Sequence, residues 1–258
     1  MPKASAVGSV LTPSEAMTRA IKMAKKGPWH GPNPRVGCVI VDTSGRVVGE
    51  GFHRGAGTDH AEVQAIADAV RQGNRVGGAT AYVTLEPCRH IGRTGPCVDA
   101  LAVAGIARVV YAVADPGQIS GGGAGFLKER GVDVCHEPSP AAEDLLSWFV
   151  HAIKEGRPYV ILKFATTLDG RTAAADGSSR WISGQEARDH SHRLRSHADA
   201  IIVGTGTVLV VDPTLTARPG GVESAHQPRR PVISHLHDNH DCFRHQRPAA
   251  QRQAKPFA

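Results

Sequence analysis

No stretch of this 258-residue sequence approaches the roughly 20 consecutive apolar residues of a membrane-spanning helix, so a membrane protein is not expected. Met1 to Leu11 lacks a sustained apolar run, which argues against a signal peptide. A disulfide framework is missing too. The cysteines number five, an odd set in a mid-sized chain, and they read as reduced thiols of a cytoplasmic protein. Nor is there a basic face for nucleic acid. The net charge is +6, but residues 219–258 carry six Lys/Arg against three Asp/Glu, which is +3 and half the total. The basic excess sits in a tail and not on a folded domain.

What the chain does have is His60-Ala61-Glu62, followed by Pro87-Cys88 and Pro96-Cys97. One imidazole, two potential thiolates and one spare carboxylate make the inventory of a hydrolytic zinc site. Three protein ligands leave a fourth position open, which distinguishes catalytic from structural zinc. Zinc lowers the pKa of bound water to about 7. Glu62 is then the proton carrier, from water to ring nitrogen and leaving amine. The pattern names hydrolytic removal of an amine from a heterocycle. Most zinc base deaminases close the site with P-C-x-x-C; here eight residues separate Cys88 from Cys97, and Ile91 stands where the shorter pattern has its second cysteine. The longer loop is expected to carry His90 and Arg93 over the metal, toward a substrate with an anionic or extended substituent.

Around the motif, the pattern predicts alternating strands and helices. Thr12-Pro13-Ser14-Glu15 is a capping box opening a helix to about Lys26. Strands are expected at 36–41, 46–52, 80–85, 109–113 and 132–135, and helices from Asp59 to Arg71, 97–104 and 141–154. Asp59 and Ser183 each precede an acid by three residues and read as further capping boxes. Gly156-Arg157-Pro158 marks a domain boundary. Beyond it, strands are expected at 159–165 and 200–203 and a helix from Ser183 to about His197. Gly121-Gly122-Gly123 reads either as a phosphate cradle or as a flexible loop. The fold class is therefore α/β: a three-layer domain over 12–155, a second and partial α/β domain over 156–233, and a tail over 234–258 without the apolar content to form a core.

Pro32-Asn33-Pro34-x-Val36-Gly37, His60-Ala61-Glu62-Val63 and Thr84-Leu85-Glu86-Pro87-Cys88-x-His90-x-Gly92-x-Thr94-x-Pro96-Cys97 together resemble the deaminase half of the bifunctional riboflavin-biosynthesis deaminase/reductase. Leu168-Asp169-Gly170-Arg171-Thr172, Ser179-x-Trp181-Ile182 and Thr207-Val208-Leu209 resemble the start of its reductase half. The resemblance implies a cytidine-deaminase-like domain followed by a dihydrofolate-reductase-like one. It implies Zn2+ held by His60, Cys88 and Cys97, with Glu62 as proton shuttle and Asn33 bonded to the pyrimidine. In the second half it implies substrate contacts at Ser179, Arg195, Leu215 and Arg218, and NADPH contacts at Ala165, Trp181 and Thr207. The implied substrate is a small phosphorylated diaminopyrimidinone, and the implied assembly is a dimer or tetramer.

Two departures from the family stand out. Val211 occupies an acidic position of the family pattern, and after Pro231-Val232-Ile233 the text turns His-, Arg- and Gln-rich where the family continues for roughly 100 more residues. Weak or absent reductase activity is the expectation. Three other readings stand beside this one. They are a nucleoside or tRNA base deaminase of the same superfamily, a non-catalytic zinc module with His90 as fourth ligand, and a protein that has lost reductase function and serves only as a deaminase partner in a complex.

Overall fold

The computed structural model describes residues 9–90 and 95–233. The chain divides into two compact units, Met1–Ile161 and Leu162–Ala258.

The first unit runs α1 (Pro13–Ala24), β1 (Gly37–Val41), β2 (Val47–Phe52), α2 (Ala61–Arg71), β3 (Thr80–Leu85), α3 (Cys97–Val103), β4 (Arg108–Val113), α4 (Gly123–Glu129), β5 (Asp133–His136) and α5 (Pro140–Glu155). The five strands form one sheet in the order β2-β1-β3-β4-β5. β1 is antiparallel to both β2 and β3, while β3, β4 and β5 run parallel. β1 and all but the first residue of β3 and β4 are buried, as strands covered on both faces must be. The core is aliphatic, built on Val39, Ile40, Val83, Val109, Val110 and Leu101.

Glycines set how near the helices lie. A Cβ on Gly37 would fall 2.1 Å from the carbonyl oxygen of Ala20 in α1, and one on Gly51 would fall 2.3 Å from that of Ala61 in α2. A Cβ on Gly49 would likewise meet Ala65 at 2.3 Å. Gly51 pairs with Cys38, the neighbour of Gly37 in β1, so α1 and α2 cover opposite faces of the sheet. The seam of α2 is Ala61, Ala65 and Ala69, all fully buried. Alanine against glycine brings that helix closer to the sheet than larger side chains allow.

The outer edge of β2 is closed by side chains. Asp68 accepts from the backbone N–H of Glu50 at 3.0 Å, and Asn74 donates to the carbonyl of Val48 at 2.8 Å. The N–H of Val47 donates to the Ser9 carbonyl at 2.9 Å.

In the second unit, α6 (Gln185–His197) is followed by β6 (Val203–Gly204), α7 (Thr205–Val211), a short 3-10 turn at Pro219–Gly221, and β7 (Val232–Ile233) parallel to β6. An isolated bridge joins Ala200 to Arg229.

Several sequence expectations are corrected. The capping box at Thr12 forms in full, but those at Asp59 and Ser183 do not. The N-caps there are His60 and Gly184, one residue later. That slip puts Glu62 and Glu186 at the second helical position, where a side chain cannot reach back to the N-cap as a third-position acid does. The strand expected at 159–165 is absent. Val160 and Leu162 are more than four-fifths exposed, and no strand among the described residues lies beside them to supply a ladder. The strand expected at 200–203 pairs at both ends, through the Ala200–Arg229 bridge and through β6 at Val203–Gly204. The helices α4 and α7 were not foreseen, because Gly-rich and Val-rich text hides them. The tail expected over 234–258 lies outside the described residues.

Gly51→Ala should destabilise the first unit by about 1–3 kcal/mol, because the added methyl meets helix backbone that cannot move alone. Thermal and urea melts followed by far-UV circular dichroism check this, and an unchanged melt would refute the close-approach reading.

Candidate metal centre of the first unit

His60 ends the loop that enters α2, Glu62 lies in its first turn, Cys88 follows β3, and Cys97 begins α3. The strand end and the two helix starts converge. The ligand atoms of His60, Cys88 and Cys97 all lie within 4.8 Å of one another, and among the described residues they form the one such cluster. His60 Nδ1 is 3.1 Å from Cys97 Sγ and 3.4 Å from Cys88 Sγ. An imidazole nitrogen and two thiolates at this separation suit a tetrahedral Zn2+ with its fourth position open. His90 is not part of the cluster. Arg93 and Ile91 lie outside the described residues.

The electrostatics of the metal-free site follow from burial and crowding. The hydrogen bond from Cys97 holds the Cys88 thiol far below its usual range, and the same bond, with burial, pushes Cys97 up. His60 is raised mainly by its hydrogen bond to Cys88. Glu62 is 3% exposed, and burial, then the Cys88 charge, push its carboxyl up to about 7. A carboxyl near 7 can hold or release a proton at neutral pH.

Asn33 reaches the site through a residue that sequence reasoning missed. Its amide Nδ2 donates to His53 Nε2 at 2.8 Å, so the proton of His53 sits on Nδ1, 3.3 Å from the carbonyl of Asp59. The His53 ring stands edge-on to His60, with centroids 5.2 Å apart. Burial lowers the pKa of His53, which keeps it neutral. The sequence signal was faint: a lone histidine one residue past β2. Arg35, 1% exposed, anchors the Asn33 loop, donating to the carbonyls of Gly27 at 3.0 Å and of Lys25 and lying 3.7 Å over the Trp29 ring.

The Cys88 segment is itself held from below. Glu86 is buried, and its carboxylate accepts from the N–H groups of Asp115 at 3.1 Å and Ala124 at 2.9 Å. Arg89 donates through Nε to the Gly121 carbonyl at 2.6 Å. Gly121-Gly122-Gly123 leads into α4 and packs against the cysteine segment. Gly122 takes a left-handed φ of 84° as the N-cap of α4, and a Cβ on Gly123 would come 1.9 Å from the Pro87 carbonyl oxygen. The glycines are a packing surface for the cysteine segment.

In the second unit, Arg195 and the Arg218 backbone come together around His192, also missed. Arg195 Nη1 and His192 Nδ1 lie 3.4 and 3.1 Å from the Thr216 carbonyl, and the Arg218 N–H points at His192 Nδ1 at 3.1 Å. Leu215 is buried with a φ of 53°. Ser179 is exposed on another segment. Trp181 is exposed, with Arg188 4.4 Å over its ring. Ala165 is half-buried and Thr207 lies exposed on α7. No hydrogen bond or ring contact joins any two of Ala165, Trp181 and Thr207.

A mixed sheet flanked by helices, with one His and two Cys at strand and helix ends beside a buried Glu, defines the zinc deaminase class. Residues 12–113 match the cytidine and deoxycytidylate deaminase zinc-binding region, and residues 158–253 match the RibD C-terminal domain. The riboflavin biosynthesis protein RibD of Mycobacterium tuberculosis is 50% identical over 233 residues, which are 88% of this chain and 67% of that protein. That of Corynebacterium ammoniagenes is 50% identical over 222 residues, 83% of this chain and 65% of that one. This chain belongs to the RibD family. A solved Thermotoga maritima diaminohydroxyphosphoribosylaminopyrimidine deaminase/5-amino-6-(5-phosphoribosylamino)uracil reductase superposes with a TM-score of 0.79 at 40% identity, over 85% of this chain and 62% of that one. Acinetobacter baumannii RibD gives 0.76 at 43% identity, with the same coverage. The chain thus spans about two thirds or less of the length of these relatives. No described helix is long and apolar enough to cross a membrane.

The raised Glu62 has a signed consequence in metal-free protein. A carboxyl that titrates near 7 folded and near 4.5 unfolded binds more protons in the folded state between those values. It therefore stabilises the fold below about pH 4.5, and that contribution is lost as pH rises through about 7. Urea melts of metal-free wild type and Glu62→Gln across this window should show the wild type losing stability relative to the variant as pH rises. A constant difference between the two would count against a raised Glu62.

Proposed function

We propose that the first unit, which we place at 12–155, is a zinc-dependent aminohydrolase of riboflavin biosynthesis. It converts a diaminohydroxy-phosphoribosylamino-pyrimidine to the corresponding aminouracil. The observation that carries this reading is the buried Glu62 carboxyl beside the His60, Cys88 and Cys97 donors. Zn2+, held by those three, supplies Lewis-acid activation of a water molecule. The chain's own residues do the rest. Glu62 accepts one water proton and delivers it to the ring nitrogen; it then takes the second proton, from the hydroxyl now on the ring carbon, and gives it to the departing amine, so that ammonia leaves as a neutral molecule. The amide of Asn33, oriented by His53, binds the pyrimidine edge. Neutral His53 adds no positive charge beside the metal.

The second unit supports a reductase half that takes hydride from NADPH to reduce the ribosyl group of the aminouracil. Its support is the family match over 158–253 and the nearness of the Arg195 and Arg218 charges, which repel one another and would suit a phosphate between them. Ser179 and Leu215 complete the proposed substrate contacts, and Ala165, Trp181 and Thr207 the proposed cofactor contacts. The thiol ligands suit a reducing compartment, and we place the enzyme in the cytoplasm.

Glu62→Gln should retain one zinc per chain by atomic absorption and lose at least about 100-fold in ammonia release, the usual scale for a general acid–base group. Retained turnover would remove Glu62 from the mechanism, and zinc-free wild type would remove the site. For the second unit, Arg195→Ala should raise the KM for the aminouracil phosphate in an NADPH-oxidation assay, and an unchanged KM would dismiss the phosphate role.

A further inference from the structure

Resting on the zinc reading of the first unit, we infer that Glu86 is a positioning residue for the metal centre. Its carboxylate bridges the segments after β3 and β4 and so fixes where Cys88 stands relative to His60 and Cys97.

Glu86 touches no metal ligand with its side chain. Its own N–H donates to the Val113 carbonyl at 2.8 Å, which prolongs the β3–β4 pairing by one rung. The carboxylate then reaches past the end of β4. One oxygen takes the N–H of Asp115 and the other takes the N–H of Ala124, in the first turn of α4. A single buried anion thus holds both ends of the 115–124 loop, and no Lys or Arg among the described residues is paired with it. Burying a carboxylate is costly unless its oxygens are hydrogen-bonded. Here each oxygen meets one backbone donor.

The residue after Cys88 closes on the same loop. The Arg89 N–H donates to the Ser120 carbonyl at 3.2 Å, and its guanidinium binds the carbonyls of Gly121 at 2.6 Å and Gln118 at 3.4 Å. Gly123 lies tight under Pro87. Cys88 is therefore flanked by clamps two residues before and one residue after, both fastened to one loop. Its carbonyl also accepts from the N–H of Val98, in the helix that begins with Cys97. The two cysteines are joined by backbone while the loop fixes the first of them. Metal–ligand distances tolerate only about 0.2 Å. A shift of a few tenths of an ångström in the Cys88 backbone would reach the metal directly.

The test compares full-length wild type, Glu86→Gln and, as a baseline for simple destabilisation, Val110→Ala in the core of β4. Zinc affinity is read by competition with a chromophoric chelator, and the ligand field is read from the Co2+-substituted proteins. An amide in place of the carboxylate turns one acceptor into a donor facing a backbone N–H. Glu86→Gln should weaken zinc by about tenfold or more, the scale seen for residues that orient ligands, and should alter the Co2+ absorption bands. Val110→Ala should lower the melting temperature and leave both readings unchanged. Zinc affinity in Glu86→Gln within about twofold of wild type, or reduced no further than in Val110→Ala, overturns the inference. If Glu86→Gln does not fold, Arg89→Met reads the same clamp from its other side, and unchanged zinc affinity there overturns it as well. Wild type that binds no zinc defeats the deaminase reading together with this one. Wild type that binds zinc alongside unaffected variants defeats this one alone.

Discussion

The close seam between α2 and β2 is the constraint on which the first unit depends. Ala61, Ala65 and Ala69 lie against Gly49 and Gly51 with no room for a Cβ on either glycine. The seam fixes the height of the helix over the sheet, and the helix start delivers His60 and Glu62. Because the sheet ends deliver Cys88 and the neighbouring helix delivers Cys97, the donors meet only if both helices sit at the right distance from the strands. Small residues in a secondary-structure seam thus become conditions on chemistry several residues away.

Burial does the second part of the work. Glu62 lies in a site that disfavours its ionised form, next to sulfurs that share a proton between them. Around this, the surrounding polar groups are arranged in defined tautomers: Asn33 donates to His53, and His53 points its proton at the Asp59 carbonyl. A chain of directed hydrogen bonds from Asn33 through His53 to the Asp59 carbonyl keeps positive charge away from this side of the site.

The order of elements in the first unit, α4 apart, could be read from the sequence, because its strands are long apolar runs and its other helices have clear stripes. The metal donors could be read because His-x-Glu and two Pro-Cys pairs are chemically unusual text. Much of what could not be read depends on partners distant in sequence. His53 means nothing until β2 is placed beside the His60 loop. Gly121 to Gly123 look like a phosphate loop until Pro87 is seen against them. Residues 159–165 have every local mark of a strand, and lack only a neighbour to pair with among the described residues. The false capping boxes at Asp59 and Ser183 failed by one residue, a slip that spacing alone could not detect.

The side chains closing the margin of β2 carry a consequence for assembly. A strand at the border of a sheet invites a stranger's backbone to continue the ladder. Here Asp68, Asn74 and the Ser9 carbonyl already occupy the outward-facing groups of Glu50, Val48 and Val47. An incoming chain would have to break those three bonds before making its own. Copies of this unit therefore cannot stack into a continuous sheet through that border. Along that border, association must use side-chain surfaces, where shape and charge select the partner, instead of the indiscriminate grammar of the backbone.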